Sequence, residues 1–499
     1  MLKKNRSVTS SKQASLNEKE KKEKVFCAKS WGLPSEAVRS LSQRLQGFHQ
    51  RYAWCFQTKT RDASHRAFEY VSGLLRMTSE RNFATIGRMT HSAEQNMHHF
   101  MSNSPWSGRD VLLQVRTEIQ EVAEFQAGGM LLLDESADEK ASDKSVGAGK
   151  QHNGRLGKVE TSQVGTFLAY VNQNVWTWID AELFLPAAWF NRKKAALCKK
   201  LGVPRERKFA TKIELGYQMI ERVAAEGFPF EAVGFDALYG RSLWLRRKLW
   251  EASITYMGDI PEDTRVYLTE PEYGLPQSKT GKKPYTRRRV LCEDKGVEVR
   301  SLVRHLEFNP VRVRAVERGF LCNEFARLRV WTAKDEYEPR EETLLVRRDA
   351  EGKLHYALSN AAASTPIEKL AWMKCARHFI ERSNQDAKSE LGYADFRAQK
   401  YLAWEHHLAL TVLASWFIAQ TQHEWQLKYE RDDSLKAEFE SEVLPRLSMA
   451  NVREMLRAAM PLPQLTPDEA TNLVVRHLVN RARSRKSRIK HANYRMSPS

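Results

Sequence analysis

The chain has no Cys-x-x-Cys pair. Its six cysteines, Cys27, Cys55, Cys198, Cys292, Cys322 and Cys375, are scattered along 499 residues, which argues against a zinc site or a disulfide framework and for reduced, inert thiols. Long apolar runs are missing too. The longest, Leu408 to Ala419 with its Thr and Ser, is too short to span a bilayer and is bounded by His406, His407, Gln420 and Gln422, so it reads as a buried helix. The lysine-rich start is followed by no apolar h-region, so no secretory signal is expected and the chain is assigned to the cytoplasm. Acidic residues are in deficit, 61 against 80 Lys and Arg, a net charge of +19. The excess is spread over both termini and several internal loops, which points to a polyanion, with nucleic acid the first candidate and a membrane surface the second.

A chain of this length divides into several domains. Residues 1–26 are polar, charged and poor in large apolar side chains, the composition of a disordered basic arm. Residues 27–127 read as helical, with apolar positions three and four apart in SEAVRSLSQRLQGFHQRYAWCF and RAFEYVSGLLRM, and their Arg, Gln and His suit a DNA-binding domain.

The period then changes. In residues 128–258, Met130 to Leu133 form an apolar run ended by Asp134, the pattern of a buried central strand with a polar group at its carboxyl end, where α/β sheets handle ligands. Gln163 to Val171 and Val175 to Leu185 read as a hairpin beside it. An amphipathic helix over Lys212 to Ala225 precedes a second apolar run, Phe230 to Phe235, which delivers Asp236, and another helix begins near Gly240. Strand, hairpin, helix, strand, helix is the order of a ribonuclease-H-like sheet. Its first and last strands lie parallel and adjacent, so Asp134 and Asp236 are expected to be neighbours. The plainer alternative for either aspartate is a helix cap or turn residue.

The interval between Asp236 and Glu381 has a β texture, with strands expected over Thr255 to Met257, Val311 to Val316, Phe325 to Trp331, Thr343 to Arg347 and Leu354 to Leu358, and residues 259–364 read as an inserted β-rich subdomain. The loop from Lys279 to Arg289 is the densest internal basic patch, with Lys282, Lys283, Arg287, Arg288 and Arg289 around Tyr285; phosphate contact and plain solvation are its two readings.

A helix is expected from Pro366 to Leu391 within residues 365–430, with Thr365 as N-cap, Pro366 at the first helical position and Glu368 closing a capping box. Trp372, Ala376, Phe379, Ile380, Ser383, Ala387 and Leu391 fall on one face. The other face carries Lys374, Arg377, Glu381 and Lys388, a lone carboxylate in a basic stripe. Such a stripe is either a solvated surface with weak i,i+4 pairs or a metal ligand beside phosphates. Leu402 to Tyr429 reads as a long buried helix, and residues 431–499 as a helical basic C-terminal region ending in VVRHLVNRARSRKSRIK.

From about Gly129 to Ala419 the sequence resembles the bacterial insertion-sequence transposases of the DDE class, in the cut-and-paste branch with a β-strand insertion in a ribonuclease-H-like core. The segments that carry the resemblance are LLLDES, GRLGKVETSQVGTFLAYV with DAELFLP, KFATKIELGYQMIERVAAEGFPFEAVGFDALYG, and RHFIERSNQDAKSELGYADFRAQKYLAWEHHLALTVLA, with weaker similarity back to MSNSPWSGRD. The resemblance implies an α/β ribonuclease-H-like catalytic core with an inserted β-rich subdomain, flanked by helical N- and C-terminal regions. It maps the acidic triad onto Asp134, Asp236 and Glu381, the Tyr of the second-aspartate motif onto Tyr239, and the Arg and Lys of the Glu-bearing motif onto Arg377 and Lys388. Lys374, a further candidate phosphate contact, stands where many relatives have Tyr, and Ala137 to Lys140 depart from the usual Pro-Lys pattern.

The implied activity is cleavage and strand transfer at the ends of an insertion sequence by a DNA transposase and endonuclease, in a nucleoid-associated bacterial protein. Carboxylates gathered at one spot repel unless a cation neutralises them, so the triad implies two Mg²⁺ ions, with Mn²⁺ able to substitute. The implied partners are double-stranded DNA, as terminal inverted repeats and target, and a second copy of the chain on that DNA. Two other classes stay open: a domesticated, non-cutting DNA-binding protein, and a metal-dependent ribonuclease-H-like nuclease.

Overall fold

The computed structural model describes residues 36–90, 94–140, 142–153, 157–173, 175–277, 285–292, 295–316, 319–334, 337–428 and 447–462, with single positions between 467 and 486. The expected arm over residues 1–26 lies outside the described residues. The chain divides into two compact units, Met1–Trp106 with Arg431–Ser499, and Ser107–Glu430.

The first unit is helical. Its helix Ser64–Arg76 buries Ala67, Tyr70, Val71, Leu74 and Leu75, the three-and-four spacing that a helix needs to face a core. Helix Phe83–Met89 starts at Asn82, whose side chain accepts from the backbone N–H groups of Ala84 and Thr85. Arg453, on helix Met449–Ala459, donates through Nε to the Leu75 carbonyl at 3.0 Å, and Arg76 donates to the Met460 carbonyl at 2.8 Å. Each arginine thereby satisfies carbonyls that a helix end leaves without an intrahelical donor.

The second unit is a mixed α/β structure built on one large sheet. Its first strands are β1 (Met130–Glu139), β2 (Gly149–Asn153), β3 (Lys158–Asn172), β4 (Val175–Phe184), β5 (Ala232–Phe235) and β6 (Tyr256–Ile260). Four short strands follow, β7 (Arg265–Val266), β8 (Tyr273–Gly274), β9 (Arg289–Val290) and β10 (Val297–Glu298). The last are β11 (Asn309–Val316), β12 (Gly319–Lys334), β13 (Tyr337–Arg348) and β14 (Leu354–Ser359). Ten of them form a single sheet in the order β11-β12-β13-β14-β6-β5-β1-β3-β2, with β4 also paired to β3, while β7 pairs with β10 and β8 with β9.

Among the described residues only β1, β5 and β6 run parallel to one another. Parallel neighbours need a crossover. Helix Lys212–Ala225, opened by a capping box between Thr211 and Glu214, precedes β5, and helix Leu243–Glu251 joins β5 to β6. Strands covered on both faces must be apolar at every position, which is why Met130–Leu133 and Ala232–Phe235 are continuous buried runs. A buried ionic cluster ties helices to β4: Asp180 accepts from Arg109 at 2.8 Å and from Arg222 at 2.7 Å, and Glu182 accepts from Arg109 at 2.6 Å. Helix Tyr401–Lys428 is buried along most of its length, and among the described residues no helix is long and apolar enough to cross a membrane.

Two local expectations need correction. Asp134 does not end its strand, because antiparallel pairing with β3 continues to Glu139 opposite Ser162 after the parallel pairing with β5 stops at Leu133 opposite Phe235. The Pro366–Leu391 segment forms two helices, Ile367–Ala376 and His378–Ser389, which abut at Arg377. Pro366 is itself the N-cap, with ψ still extended at 145°, so no Thr365 capping box forms. Thr365 instead lies in a turn, where its carbonyl accepts from Arg327 at 2.8 Å.

Candidate active site

The register of the parallel strands builds the site. Leu133 pairs with Phe235 and Phe235 with Gly258, so the next residues, Asp134, Asp236 and Asp259, are neighbours across β1, β5 and β6. Gly240 lets the turn after Asp236 press against β6, for a Cβ there would collide with the Asp259 carbonyl oxygen.

Asp134 accepts the backbone N–H of Glu135 at 2.8 Å, and Asn384 Nδ2 lies 3.4 Å from its Oδ2. Burial first, then the like charges of Asp236 and Glu135, push its carboxyl up to about 8; Arg377 opposes them. Asp236 caps the short helix Ala237–Gly240, its Oδ1 accepting from Leu238 at 2.9 Å and Tyr239 at 3.4 Å. The capping alternative therefore holds for Asp236 together with its place beside Asp134. Its acidity is also weakened, by burial and then by Glu135, against the pull of those backbone N–H groups and Arg377.

Glu381, half-exposed on helix His378–Ser389, faces the same cavity as Asp236, one of about 500 Å³ that is also lined by Asp259, Lys374, Arg377 and His355. It is already paired. Arg377 Nη2 lies 2.6 Å from Oε1 and His378 Nδ1 lies 3.9 Å from Oε2, and these two groups, His378 foremost, hold its carboxyl at about 2. Arg377 also reaches back to Asp259, with Nε 3.2 Å from Oδ2.

The remaining expected residues are distributed unevenly. Lys374, expected in a basic stripe, is buried because helix Ile367–Ala376 packs on the sheet beside β6, and its Nζ donates to Asp259 Oδ1 at 2.7 Å. Burial lowers its pKa. Lys388 Nζ donates to the Ala137 carbonyl at 2.9 Å, beside Asp138. Tyr239 is fully buried, and among the described residues its hydroxyl, Thr166 Oγ1 and Glu135 Oε2 have no hydrogen-bond partner. Arg287, Arg288 and Arg289 are exposed, with Arg288 3.6 Å from Glu338 and Arg289 over the Tyr285 ring at 4.9 Å. Lys282 and Lys283 lie outside the described residues.

Two residues at this site escaped the sequence reading, Asp259 and Asn384. Asp259 carried only a weak signal, since Gly258 separates it from the apolar residues before it in its strand. Asn384 carried none: it joins Trp178 Nε1, 3.0 Å from its Oδ1, to Asp134 only in the folded chain.

Asp134 and Asp236 offer hard oxygen donors whose mutual repulsion a divalent cation would relieve, and this donor set suits magnesium or manganese. Among the described residues no group of three or more His, Cys, Asp and Glu side chains is arranged to hold a metal ion, and Glu381 is paired with Arg377.

The chain is 28% identical over 191 residues to the probable transposase for insertion sequence element IS701 of Microchaete diplosiphon, a match covering 36% of this chain and 44% of that protein. The chain thus spans less than half the length of that relative. It is also similar to the piggyBac transposase in a cryo-EM structure of its synaptic complex with hairpin DNA, at 11% identity and a TM-score of 0.33 over 88% of this chain and 83% of that one. The model of the DDE superfamily endonuclease family matches residues 51–319, which include Asp134, Asp236 and Asp259 and stop short of Glu381. The chain belongs to the DDE superfamily endonuclease family.

Proposed function

We propose that this protein is a DDE transposase that binds the ends of an insertion sequence and cuts and transfers DNA strands with divalent metal ions. The observation that carries the reading is the in-register pair Asp134 and Asp236, two carboxylates at adjacent parallel strand ends, one of them pushed up to about 8. A buried pair of this kind is costly for folding and is useful where a cation and a phosphodiester meet it. Family membership and the net charge of +19 support the same reading.

The strand order β4-β3-β1-β5-β6, with β1 antiparallel to β3 and parallel to β5, supports a ribonuclease-H-like core formed by residues 128–258 and 365–430. Residues 259–364 are then its insertion, 27–127 its DNA-binding helices and 431–499 a basic flank. Asp134, Asp236 and Glu381 would hold two magnesium ions, or manganese in their place. Activating the attacking oxygen and stabilising the leaving one is the chemistry such ions supply when bound. Arg377 binds a phosphate oxygen and spreads its charge, Lys388 does so from the next turns of the same helix, and Tyr239 fixes the turn that carries Asp236. Lys374 supports this cluster from below, and Arg287 to Arg289 contact the DNA backbone. Holding two ends for transfer requires two copies of the chain on DNA.

One observation favours a second reading. Glu381 is engaged by Arg377 and His378, as it would be in a DNA-binding protein that no longer cuts. A supercoiled plasmid carrying the DNA that flanks the gene, incubated with Mg²⁺ or Mn²⁺, separates the two. Cleavage at the flanks is the result expected of a transposase, and a mobility shift without cleavage would replace that reading with the binding protein.

A further inference from the structure

Asp259 shares a row with Asp134 and Asp236, yet it differs from them in facing cations. Its two oxygens are divided between Lys374 Nζ, at 2.7 Å, and Arg377 Nε, at 3.2 Å. Its backbone is fixed as well, between Gly240 on one side and the antiparallel partner Ala357 on the other. Arg377 is therefore divided too: the Nε edge lies on a fixed carboxylate, and the Nη2 edge lies 2.6 Å from the half-exposed Glu381. A guanidinium presents its donors in a rigid planar fork, so one N–H can stay bound and keep the others oriented while they change partner; the rotatable donors of a lysine hold no such orientation.

We propose, resting on the reading of this site as a DNA-cleaving centre, that Asp259 is a positioning residue that anchors Arg377 by its Nε edge, so that the Nη2 edge can exchange Glu381 for a phosphate oxygen of the DNA. The exchange swaps one anionic partner for another and frees the Glu381 carboxylate as DNA arrives. Without Asp259 the ion pair left to the guanidinium among the described residues is the one with Glu381, and the approach of a phosphate no longer meets an oriented donor. Lys374 is the second support, since it holds the other oxygen of the same carboxylate from within the protein.

The sign of the effect on binding separates this role from a charge effect. Removing a carboxylate beside a polyanion strengthens binding by electrostatics alone, whereas removing an anchor weakens it. Neutralising Asp259 by itself would strand the buried Lys374 charge, so the test uses Lys374→Met as its background. Binding to linear DNA flanking the gene, and single-turnover cleavage of a plasmid carrying it, are measured for wild type, K374M, D259N/K374M, R377Q/K374M and the triple variant.

Relative to K374M, D259N/K374M is expected to bind about threefold more weakly and to cut about tenfold more slowly at saturating DNA. The triple variant should be no worse than R377Q/K374M, because both changes remove the same oriented donor. Unchanged or tighter binding in D259N/K374M, or losses that multiply in the triple variant, would overturn the role of Asp259. If the wild type binds and does not cut, the cleavage reading fails by itself and the binding arm still decides for or against the anchor. If it does neither, both fall.

Discussion

Arg377 and Glu381 sit one helical turn apart and are joined at 2.6 Å, so the third expected metal ligand already has a cation. A half-exposed i,i+4 pair contributes little to folding, on the order of 0.3 to 0.5 kcal/mol. Arg377 is also paired with Asp259 and offsets the charges of Asp134 and Asp236. Arg377→Gln is therefore expected to cost more stability in urea titrations than that pair alone, about 1 to 2 kcal/mol, while slowing cleavage about a hundredfold, the scale of losing a charged donor at a transferring phosphate. A variant that cleaves at the wild-type rate would return Arg377 to the helix surface.

Asp134 is largely buried against Asp236 and Glu135, and its own anionic form is disfavoured there. Asp134→Asn removes that carboxyl, and with it the cost of holding it there in either form, at nearly constant volume. Thermal unfolding in EDTA should show D134N melting a few degrees above the wild type, consistent with relief of about 1 to 2 kcal/mol of that cost in a domain of this size. Adding Mg²⁺ should raise the wild-type midpoint and leave D134N where it was. An equal shift in both would mean that the ion binds elsewhere. Asp236→Asn tests the other half of the pair and, because Asn caps a helix as well as Asp does, should also give a gain in EDTA.

The pair at the strand ends was legible because a strand covered on both faces has nowhere to place a polar side chain until it emerges. Met130–Leu133 and Ala232–Phe235 therefore announce Asp134 and Asp236 in one dimension. Asp259 was hidden by Gly258, which interrupts the apolar pattern and made β6 look shorter than its Tyr256–Ile260 span. The edge strand β2 was hidden too: Gly149–Asn153 has no alternation of apolar residues and is held by backbone pairing to β3. In the Pro366–Leu391 segment the period was readable, and the burial of Lys374 was not. A lysine goes inside only where an anion waits, and its anion is 115 residues away.

The exposed arginines at 287 to 289 test whether the basic loop meets DNA. Arg288 and Arg289 have loose partners in Glu338 and Tyr285, interactions that cost little to exchange for phosphates. Replacing all three by Gln should weaken binding to flanking DNA and lower the slope of log K against log salt by up to about 0.9 for each phosphate that is no longer neutralised. An unchanged slope assigns the loop to solvent.

His407 offers a test of the core that is independent of DNA. It is fully buried, its ring stacks on Tyr393 at 5.2 Å and Phe396 at 4.5 Å, and its Nε2 lies 3.1 Å from the Tyr393 carbonyl, which accepts from the neutral ring. Burial, with Lys140 adding to it, pushes the imidazole down to about 3 against a backbone hydrogen bond that pulls the other way. The unfolded chain takes up a proton below about 6.5 and the folded chain does not. Stability is thus fully present above about pH 6.5 and falls as the pH drops toward 3, by at most about 1.4 kcal/mol per unit from this group. His407→Gln keeps a donor for the carbonyl and cannot titrate, although it loses the ring stacking. It should be less stable than the wild type at pH 7, by about 2 kcal/mol or more, and the gap should narrow steadily between pH 6.5 and 4.5 in urea titrations. A gap that stays constant over that interval would show that the buried imidazole takes no part in the acid lability of the fold.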